Sequence, residues 1–179
     1  MAWPRSTFLV RNAVVLLLCS SIWACDILST ECSSGEIPPD QAHRVSISQG
    51  AWGHVWFWRG NFKNNDPNYG CGGGTVRPVE RLVLIYEEAI WPDDVVASED
   101  PPGQGFFAGI RTPVVDSVPT DSLGFFEIPL PVGRYSLFVR EDSLYYARGG
   151  APNRAIGLIE VPEGGVDRVQ IDLKYKAAF

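Results

Sequence analysis

Only two histidines and four cysteines occur in the 179 residues, and none sits at a spacing that makes a metal or catalytic site. There is no C-x-x-C or H-x-x-x-H pattern, so a zinc centre is not expected. No G-x-S-x-G elbow is present for a serine nucleophile. The glycine run "CGGGT" (71–75) lacks the lysine that a phosphate loop needs, and its glycines read better as a tight path beside Cys71. Basic residues are outnumbered, 15 against 21, and form no cluster, which argues against a nucleic-acid partner. Glu87 and Glu88 are adjacent on a strand-like run, point to opposite faces and cannot act as a carboxylate pair. No apolar run reaches the roughly 20 residues that span a bilayer as a helix, and no repeat with a period of roughly 20 to 50 residues points to a solenoid. No cofactor is implied.

What the chain does have is 45% hydrophobic residues with 18 Gly and 14 Pro spread as turn punctuation. Beyond the first two dozen residues no helix-period segment exceeds two turns. Short β-prone runs recur instead: 54–58, 81–88, 106–118, 124–130, 133–141, 155–161 and 167–175. Pro113 makes 106–118 an edge strand or two short strands. Tyr135, Leu137 and Val139 alternate with other residues in "GRYSLFV", and Val169, Ile171 and Leu173 alternate with Arg168, Gln170, Asp172 and Lys174. That period of two marks strands with one face on a core. The expected fold is all-β, a seven-stranded β-sandwich occupying residues 45–179. Two long insertions interrupt it, a polar glycine-rich one at 59–80 and an acidic proline-rich one at 89–105. In the second, Asp93, Asp94, Glu99 and Asp100 are oxygen donors of the type calcium takes, but they do not match the EF-hand loop, and a solvated acidic loop is the simpler reading.

The N-terminus carries Arg5 and Arg11 and no acid, then the apolar stretch Ala13 to Ala24. This is the pattern of an export signal. It ends in Ile22-Trp23-Ala24-Cys25, an aliphatic residue three before a cysteine and a small one directly before it. The stretch resembles the lipobox of bacterial lipoproteins, with Trp23 as a departure. Cys19 is a poorer match because Leu18 is bulky where a small residue is needed. The resemblance implies a signal peptide at 1–24, cleavage before Cys25, and a lipid attached to that cysteine. Several acyl chains at about 0.8 kcal/mol per buried CH₂ give stable anchoring. Residues 25–44 then read as a polar tether. Cys32 and Cys71 are left over, and in an oxidising compartment an even remainder reads as one disulfide, with two free thiols as the alternative. The implied location is the bacterial cell envelope, with the outer membrane expected, on its periplasmic or surface face. Asp26 leaves the choice of membrane open, because in some bacteria an acid there retains a lipoprotein at the inner membrane.

Residues Thr120 to Val139, "TDSLGFFEIPLPVGRYSLFV", carry Thr-Asp-x-x-Gly-x-Phe followed by Pro-x-Gly-x-Tyr-x-Leu-x-Val. With Gly53-His54-Val55 and "RPVERLVLIYE" (77–87), this resembles the carboxypeptidase regulatory-like domain over about residues 50 to 176. The resemblance implies a prealbumin-like (transthyretin-like) Greek-key sandwich that is an accessory module without catalytic residues, with the two insertions as departures. It implies an envelope protein as partner, beside the membrane reached through Cys25. Physical roles accompany the motif: Asp121 accepts turn N–H groups, Gly124 takes a positive φ, and the Tyr135 hydroxyl reaches loop backbone.

The best binding candidate is "AWGHVWFWRGNF". If Val55 and Phe57 face the core, His54, Trp56 and Trp58 lie on the other face. Trp56 and Trp58, with Trp91 from the acidic insertion, would form an exposed aromatic surface for a protein or a glycan, unless the 59–80 insertion folds over them. Mass spectrometry of the mature protein is expected to find Cys32 joined to Cys71; two free thiols there would refute the pairing.

Overall fold

The computed structural model describes residues 39–62, 74–101, 104–148 and 154–179, all within the unit Cys32–Phe179. Cys25, Cys32, Cys71, the signal at 1–24 and the tether before residue 39 lie outside the described residues, as do residues 63–73 of the glycine-rich insertion.

Among the described residues the chain forms eleven strands: β1 (Gly50–Asn61), β2 (Thr75–Pro78), β3 (Leu82–Glu87), β4 (Val95–Ala97), β5 (Phe106–Ile110), β6 (Val114–Pro119), β7 (Phe125–Ile128), β8 (Gly133–Glu141), β9 (Leu144–Tyr146), β10 (Leu158–Val161) and β11 (Val166–Ala178). They build two sheets. In the smaller, β1 lies between β11, which runs parallel to it, and the antiparallel β2 and β7. The larger has the order β4-β5-β9-β8-β3-β6, with β10 also on β8. The fold is therefore all-β and a two-sheet sandwich, as expected.

The alternation read from the sequence sets the core. Val55 and Phe57 of β1, Phe126 and Ile128 of β7, and Leu173 of β11 meet Val83, Ile85, Tyr135, Leu137 and Val139 from the larger sheet. Each buried side chain of this size stabilises the fold by about 1.5–3 kcal/mol relative to exposure. Two tyrosines lock the sheets together. Tyr146 of β9 donates its hydroxyl to the Asp172 carbonyl (3.3 Å) and accepts the Lys174 N–H (3.2 Å). Tyr175 of β11 donates to Glu141 (2.6 Å), whose other oxygen pairs with Arg81. Burial, then the Glu141 carboxylate, pushes the Tyr175 hydroxyl well above its usual value.

The strand count departs from seven. Pro113 does divide 106–118 into two strands, and these then take different partners: β5 joins β4 and β9, while β6 joins β3. Strands β2 and β4 fall inside segments read as loops. Strand β9 folds back from β8 across Asp142 and Ser143, with Asp142 at φ 52, a left-handed conformation that aspartate tolerates. The acidic insertion is also less open than expected. Ala89 and Val95 pack with Tyr86, Phe107, Phe138, Ala147 and Ile156 as a second apolar cluster outside the larger sheet. Polar bonds pin it there: Ala89 N–H to Ser136 Oγ (2.9 Å), Ile90 N–H to the Asp94 carboxylate (2.9 Å) and Arg111 N–H to the Asp94 carbonyl (2.8 Å). Phe138 faces away from the main core yet has no exposure, so β8 is buried on both sides.

The turn before β7 has the roles assigned to it. The Asp121 carboxylate accepts the N–H groups of Leu123 (2.9 Å) and Phe125 (3.0 Å). Thr120 Oγ1 donates to the Val79 carbonyl and accepts the Arg81 N–H. Gly124 sits at φ 72, and a Cβ there would lie 2.6 Å from the Val55 carbonyl oxygen. The Tyr135 hydroxyl donates to the Pro131 carbonyl at 3.1 Å. Gly124→Val is expected to cost about 2 kcal/mol or more through left-handed strain, on top of that backbone clash. A thermal melt checks this, and an unchanged midpoint would remove the turn from its structural role.

Candidate interaction surface

Strand β1 carries Trp52, His54, Trp56 and Trp58 at every second position, so they form one row on the face away from the core, with Phe57 on the core side. The register adds neighbours. Phe125 of β7 stands opposite His54; Arg168, Gln170 and Asp172 of β11 stand opposite Trp52, His54 and Trp56. The row is tightly spaced, with ring centroids 5.7 Å apart from Trp52 to His54 and 5.9 Å from His54 to Trp56. Phe125 lies 5.9 Å from His54 and 6.1 Å from Trp52.

The sequence led to the right face but the wrong exposure. Trp56 is only 6% exposed, Trp52 7% and His54 2%. Trp58 is half-buried, its indole N–H donating to Asp172 (3.1 Å) and its ring lying 4.5 Å from Lys174 Nζ. Trp91 is open, 42% exposed, but it packs on Phe107 outside the other sheet. The three tryptophans therefore share no surface. What remains accessible beside β1 is the end of the row, where Trp58 meets Phe62 (5.2 Å) and Phe179 (6.1 Å), the latter 56% exposed.

A strap formed by residues 39–49 lies along the other end. Asp40 pairs with Arg168 (3.1 Å), and Gln41 Nε2 donates to the Leu123 carbonyl (3.2 Å). Arg44 pairs with Asp121 (2.5 Å), bonds Gln41, and sits 4.2 Å from the centre of the Phe125 ring. Ser46 gives Glu127 its N–H (2.8 Å) and its hydroxyl (2.5 Å). Burial works to raise the Asp121 carboxyl, but Arg44 and the N–H groups of Phe125 and Leu123 outweigh it and hold it below the usual range. The Ser46 bonds lower Glu127 in the same way. Burial lowers His54, aided by Arg168 and Arg44 and opposed by Asp40 and Asp121. His54 Nε2 and Trp56 Nε1 have no hydrogen-bond partner among the described residues.

A groove of about 380 Å³ opens elsewhere, between Val169–Asp172 of β11 and the segment 155–158, over Leu137. The Asp172 carboxylate at its edge is already committed to Trp58, Gln170 (2.8 Å) and Lys174 (3.1 Å). Trp52 and Arg44 were missed as members of the aromatic face. The signal for Trp52 was present, since the alternation of β1 continues back through Gly53; Arg44 was assigned to the tether.

No protein-family model, curated protein or solved structure matches the chain.

Acrylamide quenching of the full-length protein is expected to reach Trp91 well ahead of Trp52 and Trp56. Trp91→Phe should remove part of the readily quenched emission; an unchanged quenching curve would mean that Trp91 is covered.

Proposed function

We propose that the protein is a non-enzymatic, lipid-anchored component of the bacterial cell envelope. It is held in a membrane, most simply the outer one, through Cys25, and a Cys32–Cys71 disulfide ties its tether to the glycine-rich insertion. Its β-sandwich acts as a structural and protein-interaction module, with an envelope protein or larger assembly as partner. The prealbumin-like, Greek-key arrangement of a carboxypeptidase regulatory-like domain is the fold reading that goes with it.

One observation carries the proposal. The most recognisable stretch of the chain is spent on folding: Thr120, Asp121 and Tyr135 each bond the backbone of a turn or connection. Such a scaffold does its work through the surfaces it holds out. The accessible end of the aromatic row, at Trp58, Phe62 and Phe179, is one such surface on the smaller sheet; Trp91 is a separate point on the larger. A glycan platform of Trp56, Trp58 and Trp91 is the weaker reading, because Trp56 is buried and Trp91 stands on the other sheet.

Cys25→Ala is expected to move the protein from the membrane to the soluble fraction of lysed cells. Its retention in the membrane would overturn the anchor.

A further inference from the structure

We propose that residues 39–49 form an acid-sensitive strap, which stays closed over the aromatic row of β1 while His54 is neutral and lifts when His54 takes a proton.

The strap is held by polar contacts rather than by apolar burial. Of residues 39–49 only Gln41 is buried. Its attachments include the Asp40–Arg168 and Arg44–Asp121 ion pairs, the Gln41 and Ser46 hydrogen bonds, Arg44 over Phe125 and, at its far end, Gln49 bonded to the Leu130 carbonyl and the Gly164 N–H. A segment with few apolar contacts and many half-exposed polar ones opens locally at lower cost than the core strands. The strap is also the stretch through which the expected tether joins the body.

Beneath it, His54 is 2% exposed, boxed by Trp52, Trp56 and Phe125, with Nε2 unpartnered among the described residues. The charges that act on it are Asp40 and Arg44 from the strap, Arg168 from β11 and Asp121 from the turn before β7. Both carboxylates are already engaged, Asp40 by Arg168 and Asp121 by Arg44 and two turn N–H groups. An imidazolium here would thus be desolvated, beside two guanidiniums and without a free anion. Lifting the strap admits water to the ring, so the open form binds the proton more tightly than the closed form. By linkage, each bound proton then favours opening. The closed state has its full stability above the ordinary histidine value of about 6.5 and loses it as pH falls below that value. Opening would uncover Trp52, His54 and Phe125, giving acid control over a further part of this face.

Hydrogen exchange on the full-length protein in detergent tests this. From about pH 7.5 to about pH 5, protection of Ala42, Arg44, Val45 and Ser46, corrected for intrinsic exchange, is expected to hold down to about pH 6.5 and then to fall by up to about tenfold for each pH unit until the lower His54 midpoint is reached. The amides of β8 should hold their protection. The imidazole NMR titration of His54 should show its midpoint below the ordinary value, at the pH where the loss of strap protection levels off. His54→Phe keeps a ring in the box and should abolish the pH dependence. Strap protection that stays constant across this range, a His54 midpoint at or above the ordinary value, or the same acid loss in His54→Phe would each overturn the proposal. If His54→Phe does not fold, the first two measurements on the unaltered protein decide it.

Discussion

The carboxylate of Asp121 is where separate parts of the molecule meet. Its oxygens hold the N–H groups of Leu123 and Phe125, which shape the turn into β7, and they hold Arg44 from a strap 77 residues earlier in the chain. The next residues extend the same junction. Thr120 ties the turn to the connection between β2 and β3, and the Gly124 carbonyl accepts the Val55 N–H of β1. A short polar turn thereby sets the position of β7 against β1 and gives the strap one of its two ion pairs with the body. Gly124 is required there because the approach to the Val55 carbonyl leaves no space for a side chain.

From that junction the sandwich is built with more than one apolar layer. The main core lies between the sheets, but the outward faces are covered as well. The segment from Ala89 to Val95 buries Phe107 and Phe138 outside the larger sheet, while Trp52, His54 and Trp56 lie buried on the outer side of the smaller one. Aromatic residues that look available in a strand pattern are thus largely used in packing. The accessible exceptions are Trp58 with Phe62 and Phe179 beside the smaller sheet and Trp91 beside the larger.

The sheet edges are managed with equal economy. On β6 the Ser117 N–H is taken by the neighbouring Asp116 carboxylate (2.7 Å), and Pro119 has no N–H to offer. On β11 the Tyr146 hydroxyl occupies the Asp172 carbonyl and the Lys174 N–H. Edges treated this way resist pairing with other strands. Interaction through exposed side chains fits the molecule better than strand addition at these points.

Local features were legible in the sequence. Alternation in β8 and β11 placed Tyr135, Leu137, Val139 and Leu173 on the core face, and the chemistry of Asp121, Gly124 and Tyr135 predicted their bonds, because a strand period and a tight turn depend on residues close in the chain. It also assigned His54, Trp56 and Trp58 to one face. Whether that face met water was outside its reach, since period two says which side a residue takes and nothing about what covers that side. Over Phe125 that side carries Arg44, held by Asp121 from 77 residues further along the chain. Strands β2 and β4 needed tertiary structure for the same reason: each is short, lies in a polar stretch, and is a strand only because β1 or β5 offers it a ladder. The sequence by itself determined the strand class, the turn and the inward row; long-range contacts decided which aromatic residues remain exposed, because exposure belongs to the pairing of distant segments and not to any one of them.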